Sequence, residues 1–409
     1  MVAIVCAAQV LVQIGAFFWP ALLPQMRVRW ALGHGEAGEI TASFYAAYVL
    51  AVPVLVTLTD RVDAKRVYLA GVAMTVAGHA LFALAAEGYW SAVAARALTG
   101  IGWAGTYMTG LKLLADKVED KLLARAAAGH AASIGISGAL SFACADLLAG
   151  WGGWQAAFLA AAACAALAWV LVVFAIPSRA LPPVAAAAAA PAGLALFDFR
   201  PVLRNRSAMA YALAYGVHTF EMSALRGWGV AYLAFVASAT GATAAGATGA
   251  LVSPTTALTV LGLAGTLASL AGSEAAIRFG RRRLIALAMI GSALCAALLA
   301  GFGTEGYLLA VALVLVYGPV IWLDSSSLTA GTAGTAEPSR RGATLAVHSM
   351  LGYLGGFIGP LAVGWALDLQ AGDEAAGWRV AFAGMAVLMA LTLVVFLAMR
   401  PRGLAGDRG

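Results

Sequence analysis

Ionisable side chains are rare in this sequence, and several of them stand inside long apolar runs. Only 11% of the 409 residues are charged, whereas 62% are hydrophobic. The apolar run at 207–236 contains His218, Glu221, Met222 and Arg226. In a helix His218 shares a face with Glu221 and with Met222, because residues three or four apart are neighbours. A carboxyl group beside an imidazole can hold and relay a proton, so we expect proton or substrate chemistry in this run.

Further polar side chains stand in other apolar runs. Arg96 and Lys112 share one run, and Asp324 begins an Asp-Ser-Ser-Ser sequence in another. An ionised side chain costs about 3 kcal/mol or more in a bilayer, so each is a functional candidate. Alternatively, such an arginine only orients its helix and such an aromatic side chain only packs. The candidate substrate or proton pathway comprises Arg96, Trp103, Lys112, Tyr215, His218, Glu221, Met222, Arg226 and Asp324.

The sequence contains no motif for metal, nucleotide or covalent chemistry. Its four cysteines lie in apolar runs, without the spacing of a metal site or a disulfide framework. It has no His-Glu-x-x-His, Gly-x-Ser-x-Gly or Walker pattern. We therefore expect no metal, no cofactor, no ATP hydrolysis and no enzymatic activity.

The candidate residues are carried by apolar runs of bilayer length. A helix needs about 20 mostly apolar residues to cross a membrane, and the mean hydropathy of the chain is +0.89. The runs lack the alternation of membrane strands, so we predict an all-α polytopic membrane protein with twelve transmembrane helices in a lipid bilayer. The predicted spans 1 to 12 cover 3–24, 38–59, 67–87, 89–114, 126–150, 154–177, 207–236, 252–276, 284–303, 306–328, 343–367 and 379–399.

The positive charges predict the orientation of the chain. Most of the 25 Lys and Arg residues follow even-numbered spans, and only Arg27, Arg29 and Arg379 fall on the other face. Because cytoplasmic loops are enriched in Lys and Arg, we expect both termini in the cytoplasm and the chain in the inner (plasma) membrane. This distribution accounts for the net charge of +6 without a nucleic-acid partner. The run at 2–23 is predicted to be a span rather than a cleaved signal peptide.

Two short patterns occur once in each half of the chain. A basic loop follows span 2 at 60–66 and span 8 at 278–283. A Gly-Trp-x-x-x-Phe pattern begins at Gly153 and again at Gly377. Their similar separation indicates a six-plus-six duplication. The predicted organisation is an N-terminal six-helix bundle at 1–177, a cytoplasmic linker at 178–206, a C-terminal six-helix bundle at 207–400 and a cytoplasmic tail at 401–409.

These loops resemble the cytoplasmic motif of the major facilitator superfamily, Gly-x-x-x-Asp-Arg-x-Gly-Arg-Arg. In the first copy Val56 and Asp63 stand at the two glycine positions of the motif. In the second copy Ile277 stands at the position of the acid. The family's span 4 pattern, Arg-x-x-x-Gly-x-Gly, is present at Arg96, Gly100 and Gly102. The matching loop residues are Asp60, Arg61, Lys65 and Arg66 in the first copy and Arg278, Gly280, Arg281 and Arg282 in the second.

The resemblance implies a function as well as a fold. Spans 1, 4, 7 and 10 would line a central cavity, the two loops would act as a cytoplasmic latch, and Gly100 and Gly102 would pack span 4. The implied function is secondary active transport of a small solute by alternating access. Since Glu221 and Asp324 are available, we expect proton coupling, and we expect a monomer. Organic anions, zwitterions and amphipathic drugs all remain open as the solute, as does the direction of transport.

Two alternatives remain open at this stage. His218-x-x-x-Met222 resembles a copper-handling branch of the same superfamily, because imidazole and thioether groups suit copper. Met385 and Met389 have a matching spacing but fall on span 12, which the resemblance places at the periphery. A non-transporting membrane sensor is the alternative from another class, although such a protein would need an appended soluble domain.

Overall fold

The computed structural model describes residues 1–59, 61–115, 118, 120–178, 199–242, 252–404 and 407, with the backbone alone at 115, 120–125, 128 and 339. Every regular element in these ranges is a helix. The chain divides into two compact units, Met1–Ala186 and Ala187–Gly409. Most of the predicted linker lies outside the described residues, so its bounds stay a prediction.

The N-terminal unit contains the first six predicted spans. Predicted span 1 is broken near Gly15 into two helices, which its continuous apolar run did not predict. Predicted spans 5 and 6 form one long helix that is interrupted at Gly152 and Gly153. Gly153 has a φ of 77°, a conformation that glycine adopts at no steric cost. The helices are α1 (Val2–Gln13), α2 (Phe18–Trp30), α3 (His34–Leu58), α4 (Ala64–Ala85), α5 (Tyr89–Ala115) and α6 (Asp120–Ala175).

The C-terminal unit contains the other six. Predicted span 10 is divided at Asp324, where the Asp-Ser-Ser-Ser sequence favours a helix start over a helix interior. A short 3₁₀ turn, Pro338–Arg340, precedes predicted span 11. The helices are α7 (Arg200–Arg204), α8 (Arg206–Ala239), α9 (Pro254–Phe279), α10 (Arg281–Phe302), α11 (Tyr307–Trp322), α12 (Ser325–Thr335), α13 (Arg341–Leu369) and α14 (Glu374–Met399).

Nine helical stretches among the described residues are long and apolar enough to cross a membrane. Helices α5 and α8 are not among the nine, although they match predicted spans 4 and 7. These two carry Arg96 and Arg226 in addition to several glycines, which lower their hydropathy. The helices with the weakest membrane signal are therefore the ones that carry most of the candidate chemistry.

Glycines let the helices that carry the candidate residues approach closely. A Cβ atom at Gly100 would overlap the carbonyl oxygen of Phe44 on α3, and one at Gly102 would overlap Thr75 on α4. In the C-terminal unit, a Cβ atom at Gly355 on α13 would overlap a carbonyl oxygen of α8. Small residues allow such backbone contact in lipid. The contact between α8 and α13 brings their polar side chains within reach of one another.

Candidate proton and substrate site

Glu221 is a buried carboxyl group held by two hydroxyl groups. Its side chain extends from α8 and is 2% exposed. Ser292 on α10 donates from Oγ to Oε2 at 3.1 Å, and the hydroxyl group of Tyr317 on α11 donates to Oε1. No cation among the described residues pairs with Glu221. The carboxyl group therefore links three helices through neutral partners.

His218 and Asp324 form a second buried pair one turn away along α8. His218 Nδ1 lies 3.0 Å from Asp324 Oδ1, and the two side chains are 3% and 6% exposed. The two atoms are within ion-pair distance but are not aligned as a hydrogen bond. Among the described residues, His218 Nε2 has no hydrogen-bond partner. One edge of the ring thus faces an acid, and the nitrogen atom on the other edge is buried without a hydrogen-bond partner among the described residues.

Tyr215 connects His218 to another buried histidine. Its ring stacks on His218 with a centroid distance of 5.7 Å and on His348 of α13 with a centroid distance of 3.9 Å. His348 Nε2 lies 3.2 Å from Thr329 Oγ1, and Nδ1 lies 3.1 Å from Thr332 Oγ1. Tyr215, His218 and Glu221 follow one another at three-residue steps on α8, so they form a continuous row.

The two hydroxyl groups beside His348 can serve either protonation state of the ring. Thr332 donates to the carbonyl oxygen of Leu328 at 3.0 Å, and Thr329 donates to that of Ser325 at 3.3 Å. When both hydroxyl protons point at these carbonyl oxygens, each hydroxyl oxygen can accept a hydrogen bond from a ring N–H group. A protonated imidazole has two such N–H groups and needs two acceptors. Rotation of one hydroxyl group toward its ring nitrogen suits the neutral ring.

The remaining candidates on α8 lie beside this row. The guanidinium carbon of Arg226 lies 4.5 Å from the ring centre of Trp322 on α11, a cation–π contact. Met222 is half-buried. Within the described residues, no group of three or more His, Cys, Asp or Glu side chains could hold a metal ion. The copper alternative also involves the thioether of Met222, so it stays a prediction.

Arg96, Trp103 and Lys112 lie on α5, in the N-terminal unit. Arg96 is 2% exposed, and its Nη1 donates to the carbonyl oxygen of Ala16 at 3.1 Å. Its guanidinium carbon lies 4.7 Å from the ring centre of Phe44, which also packs edge-to-face against Trp103. Lys112 is half-buried near the end of the helix.

The first basic loop is anchored to its own unit. Asp63 caps α4 by accepting from the backbone N–H of Lys65 at 3.0 Å. Lys65 is buried, and its Nζ donates to the carbonyl oxygens of Val173 and Ile176 at 2.9 and 2.5 Å, at the C-terminus of α6. A cation at this end complements the helix dipole. Arg61 and Arg66 are exposed, and Asp60 lies outside the described residues.

The second basic loop receives an acid from the C-terminal tail. Arg281 donates from Nε to Asp407 Oδ2 at 3.2 Å and from Nη2 to Oδ1 at 3.1 Å. Nη1 of Arg281 also faces the carbonyl oxygen of Ser327 at 3.3 Å. Gly280 links α9 to α10 with a φ of 90°. Arg282 is exposed, and Arg278 forms an exposed pair with Glu274 on its own helix.

The structure adds residues that the sequence did not single out. Ser292 and Tyr317 hold Glu221, Asp407 holds Arg281, and His348 stacks on Tyr215. The available signals were a serine and a tyrosine in otherwise apolar runs and an acid in a basic tail. Each is too common to identify a site without knowledge of its neighbour.

Comparisons with known proteins support the same fold. The model of the Major Facilitator Superfamily matches residues 5–267, whereas no curated protein matches the sequence. A bacterial homologue of the human lysosomal transporter Spinster is similar in structure, with a TM-score of 0.77 and 15% identity over 97% of this chain and 96% of that one. The nucleoside transporter NupG gives a TM-score of 0.74 and 16% identity, over 97% of this chain and 98% of that one. The predicted all-helical polytopic fold is confirmed.

Proposed function

The chain belongs to the Major Facilitator Superfamily, and on that basis we propose that it carries a small solute across the membrane by proton-coupled alternating access. It is a multi-pass membrane transporter rather than an enzyme. The observation that carries the proposal is the buried carboxyl group of Glu221, which is bound by the hydroxyl groups of Ser292 and Tyr317. The proposal places both termini in the cytoplasm and the chain in the inner membrane, in line with its charge distribution.

A proton on Glu221 would change the contacts between helices. The ionised carboxylate accepts from both hydroxyl groups, so it ties α8 to α10 and α11. The protonated form carries an O–H group and must itself donate, so one hydroxyl group has to turn or release its bond. Hydrogen bonds to charged groups contribute about 1.5–3 kcal/mol, against about 0.5–1.5 kcal/mol for neutral ones. Protonation thus weakens the link between these helices by an amount that can shift a conformational equilibrium.

His218 and Asp324 would pass protons to and from the same region. A protonated His218 facing Asp324 leaves the pair without net charge, which reduces the cost of burying it. Nε2 of His218, which has no hydrogen-bond partner among the described residues, would provide the second position that a relay needs. Tyr215 and His348 continue the row along α8 and α13, and we assign them to the lining of the solute pathway.

Infrared spectroscopy tests the proton carrier without knowledge of the solute. The full-length protein is titrated with acid in proteoliposomes, and the carbonyl stretch of protonated carboxyl groups is recorded. We expect one titrating band to be absent from Glu221→Gln and retained in Glu274→Gln, a matched control at an exposed acid of the same unit. An identical set of bands in wild-type protein and Glu221→Gln would remove Glu221 as the proton carrier.

A flux assay then tests coupling. Proteoliposomes containing a pH-sensitive dye are exposed to a panel of organic anions, zwitterions and amphipathic amines under an imposed pH gradient. At least one class should move protons in the wild-type protein, and Glu221→Gln should abolish that movement while solute exchange at equal pH continues. Proton movement that persists in Glu221→Gln would contradict the proposal.

A further inference from the structure

A small cavity lies within the N-terminal unit. It has a volume of about 10 Å³, which limits an occupant to about one water-sized group, such as a monatomic ion or one oxygen atom of a carboxylate. Its walls come from α1, from the break after α1, and from α3, α4 and α5. Its lining includes Gln13, Phe44, Thr75, His79, Thr99 and Trp103.

Several buried polar atoms around this cavity have no hydrogen-bond partner among the described residues. They are both amide atoms of Gln13, Nδ1 of His79, Nε1 of Trp103 and Nε of the adjacent Arg96. Gln13, His79 and Arg96 are each 2% exposed. Buried polar groups in native proteins are almost always paired, so an unpaired group calls for an explanation. A cluster of them around one void points to a bound species.

The cluster is rich in donors and carries a fixed positive charge. Arg96 contacts the carbonyl oxygen of Ala16 and the ring of Phe44, both of which belong to the cavity lining, and it forms no ion pair with any described residue. The hydroxyl groups of Thr75 and Thr99 donate to carbonyl oxygens of their own helices. Among the described residues, the N–H groups of Gln13 and Trp103 and the Nε–H group of Arg96 lack an acceptor, and the charge of Arg96 lacks a partner of opposite sign. Oε1 of Gln13 is itself an acceptor without a partner.

We propose that this cavity binds a small monovalent anion beside Arg96. A water molecule would satisfy some of the donors but would leave the buried guanidinium charge uncompensated, which is costly. An anion accepts from the N–H groups, compensates the charge of Arg96, and ties Gln13 on α1 to Arg96 and Trp103 on α5. Two sources share this chemistry: a free halide ion such as chloride, or the carboxylate end of a solute. The existence of this site does not depend on the proposed coupling.

Anion titrations of the purified full-length protein test the site directly. Chloride or formate replaces gluconate at constant ionic strength, and the melting temperature and tryptophan fluorescence are recorded. The chain has 11 tryptophans, so the signal of Trp103 is taken as the difference between wild-type protein and Trp103→Phe. We expect a saturable rise in melting temperature and a saturable change in the Trp103 signal.

Variants separate a specific site from a general salt effect. Arg96→Gln should lose both responses, whereas Arg379→Gln, at an exposed arginine, should keep them. Gln13→Leu should weaken anion binding at least about tenfold, the loss expected for one hydrogen bond to a charged group. This variant also tests the site if Arg96→Gln does not fold. Trp103→Phe should lose the fluorescence response and keep a weaker thermal one.

The choice of anion identifies the source, and two outcomes overturn the proposal. A response to chloride indicates a free halide, and a response to formate alone indicates the carboxylate of a solute. Equal behaviour in chloride, formate and gluconate would mean that the cavity holds only water. An unchanged response in both Arg96→Gln and Gln13→Leu would place the anion elsewhere.

Discussion

The contact between the C-terminal tail and the second basic loop gives a quantitative prediction. Arg281 and Asp407 share two hydrogen bonds at 3.1 and 3.2 Å, and their side chains are 6% and 7% exposed. Asp407→Asn removes the negative charge. It also replaces one of the two carboxylate oxygens that accept from Arg281 with an amide NH₂ group, which is a donor. Breaking a buried pair from one side leaves an uncompensated charge, which costs about 3–5 kcal/mol. We therefore expect a loss of at least about 3 kcal/mol in the free energy of unfolding.

A matched control lies in the same region. Glu274 and Arg278 are 2.8 Å apart but 59% and 65% exposed, and exposed pairs contribute only about 0.2–1 kcal/mol. Glu274→Gln makes the same change of charge and should therefore cost far less. Both variants are unfolded by denaturant in one detergent, and the free energies are compared.

A double-mutant cycle and proteolysis complete the test. If the pair acts as a unit, Arg281→Gln and Asp407→Asn together should cost less than the sum of the two single variants. The tail is also held by the Tyr211 hydroxyl group, which donates to the carbonyl oxygen of Arg402 at 2.8 Å. Arg402 is exposed but its backbone is fixed, so Asp407→Asn should loosen the tail and speed trypsin cleavage after Arg402. Equal unfolding energies for Asp407→Asn and Glu274→Gln would refute the reasoning.

Two further substitutions test the packing of each unit. Gly355→Ala should lower the melting temperature by several degrees because its Cβ atom would overlap the carbonyl oxygen of Gly216, whereas Gly384→Ala, with open space around it, should change it little; equal melting temperatures would contradict the close approach of α8 and α13. Lys65→Met should cost about 1.5–3 kcal/mol through the loss of a charge-assisted bond to the end of α6, and Arg66→Met, at an exposed position, should be nearly neutral in the same denaturant assay.

The sequence was sufficient for the fold because the bilayer constrains it strongly. Apolar runs of spanning length and the two repeated loops predicted the all-helical architecture. The divided span 10 was also foreseeable, because Asp324 and the following serines favour a helix start. The break near Gly15 was not, because a single glycine in an apolar run rarely interrupts a helix by itself.

The site was predictable only in part, because its contacts join distant parts of the chain. His218 and Glu221 stand out as polar groups in one apolar run. Their partners cannot be read from helical periodicity: Ser292 and Tyr317 lie 71 and 96 residues from Glu221. The second basic loop has Ile277 where the motif has an acid. The acid that binds Arg281, Asp407, could not be predicted either, because it lies 126 residues further along the chain.

The two units carry different chemistry, which gives a last prediction. The N-terminal unit buries Arg96 among unpaired donors, whereas the C-terminal unit buries Glu221 beneath hydroxyl groups. Every contact described for each of these residues lies within its own unit. Arg96→Gln should therefore abolish the anion response and leave the infrared band of Glu221 intact, and Glu221→Gln should do the reverse. If either variant removed both signals, the two groups would form one site, and their separate assignment would be wrong.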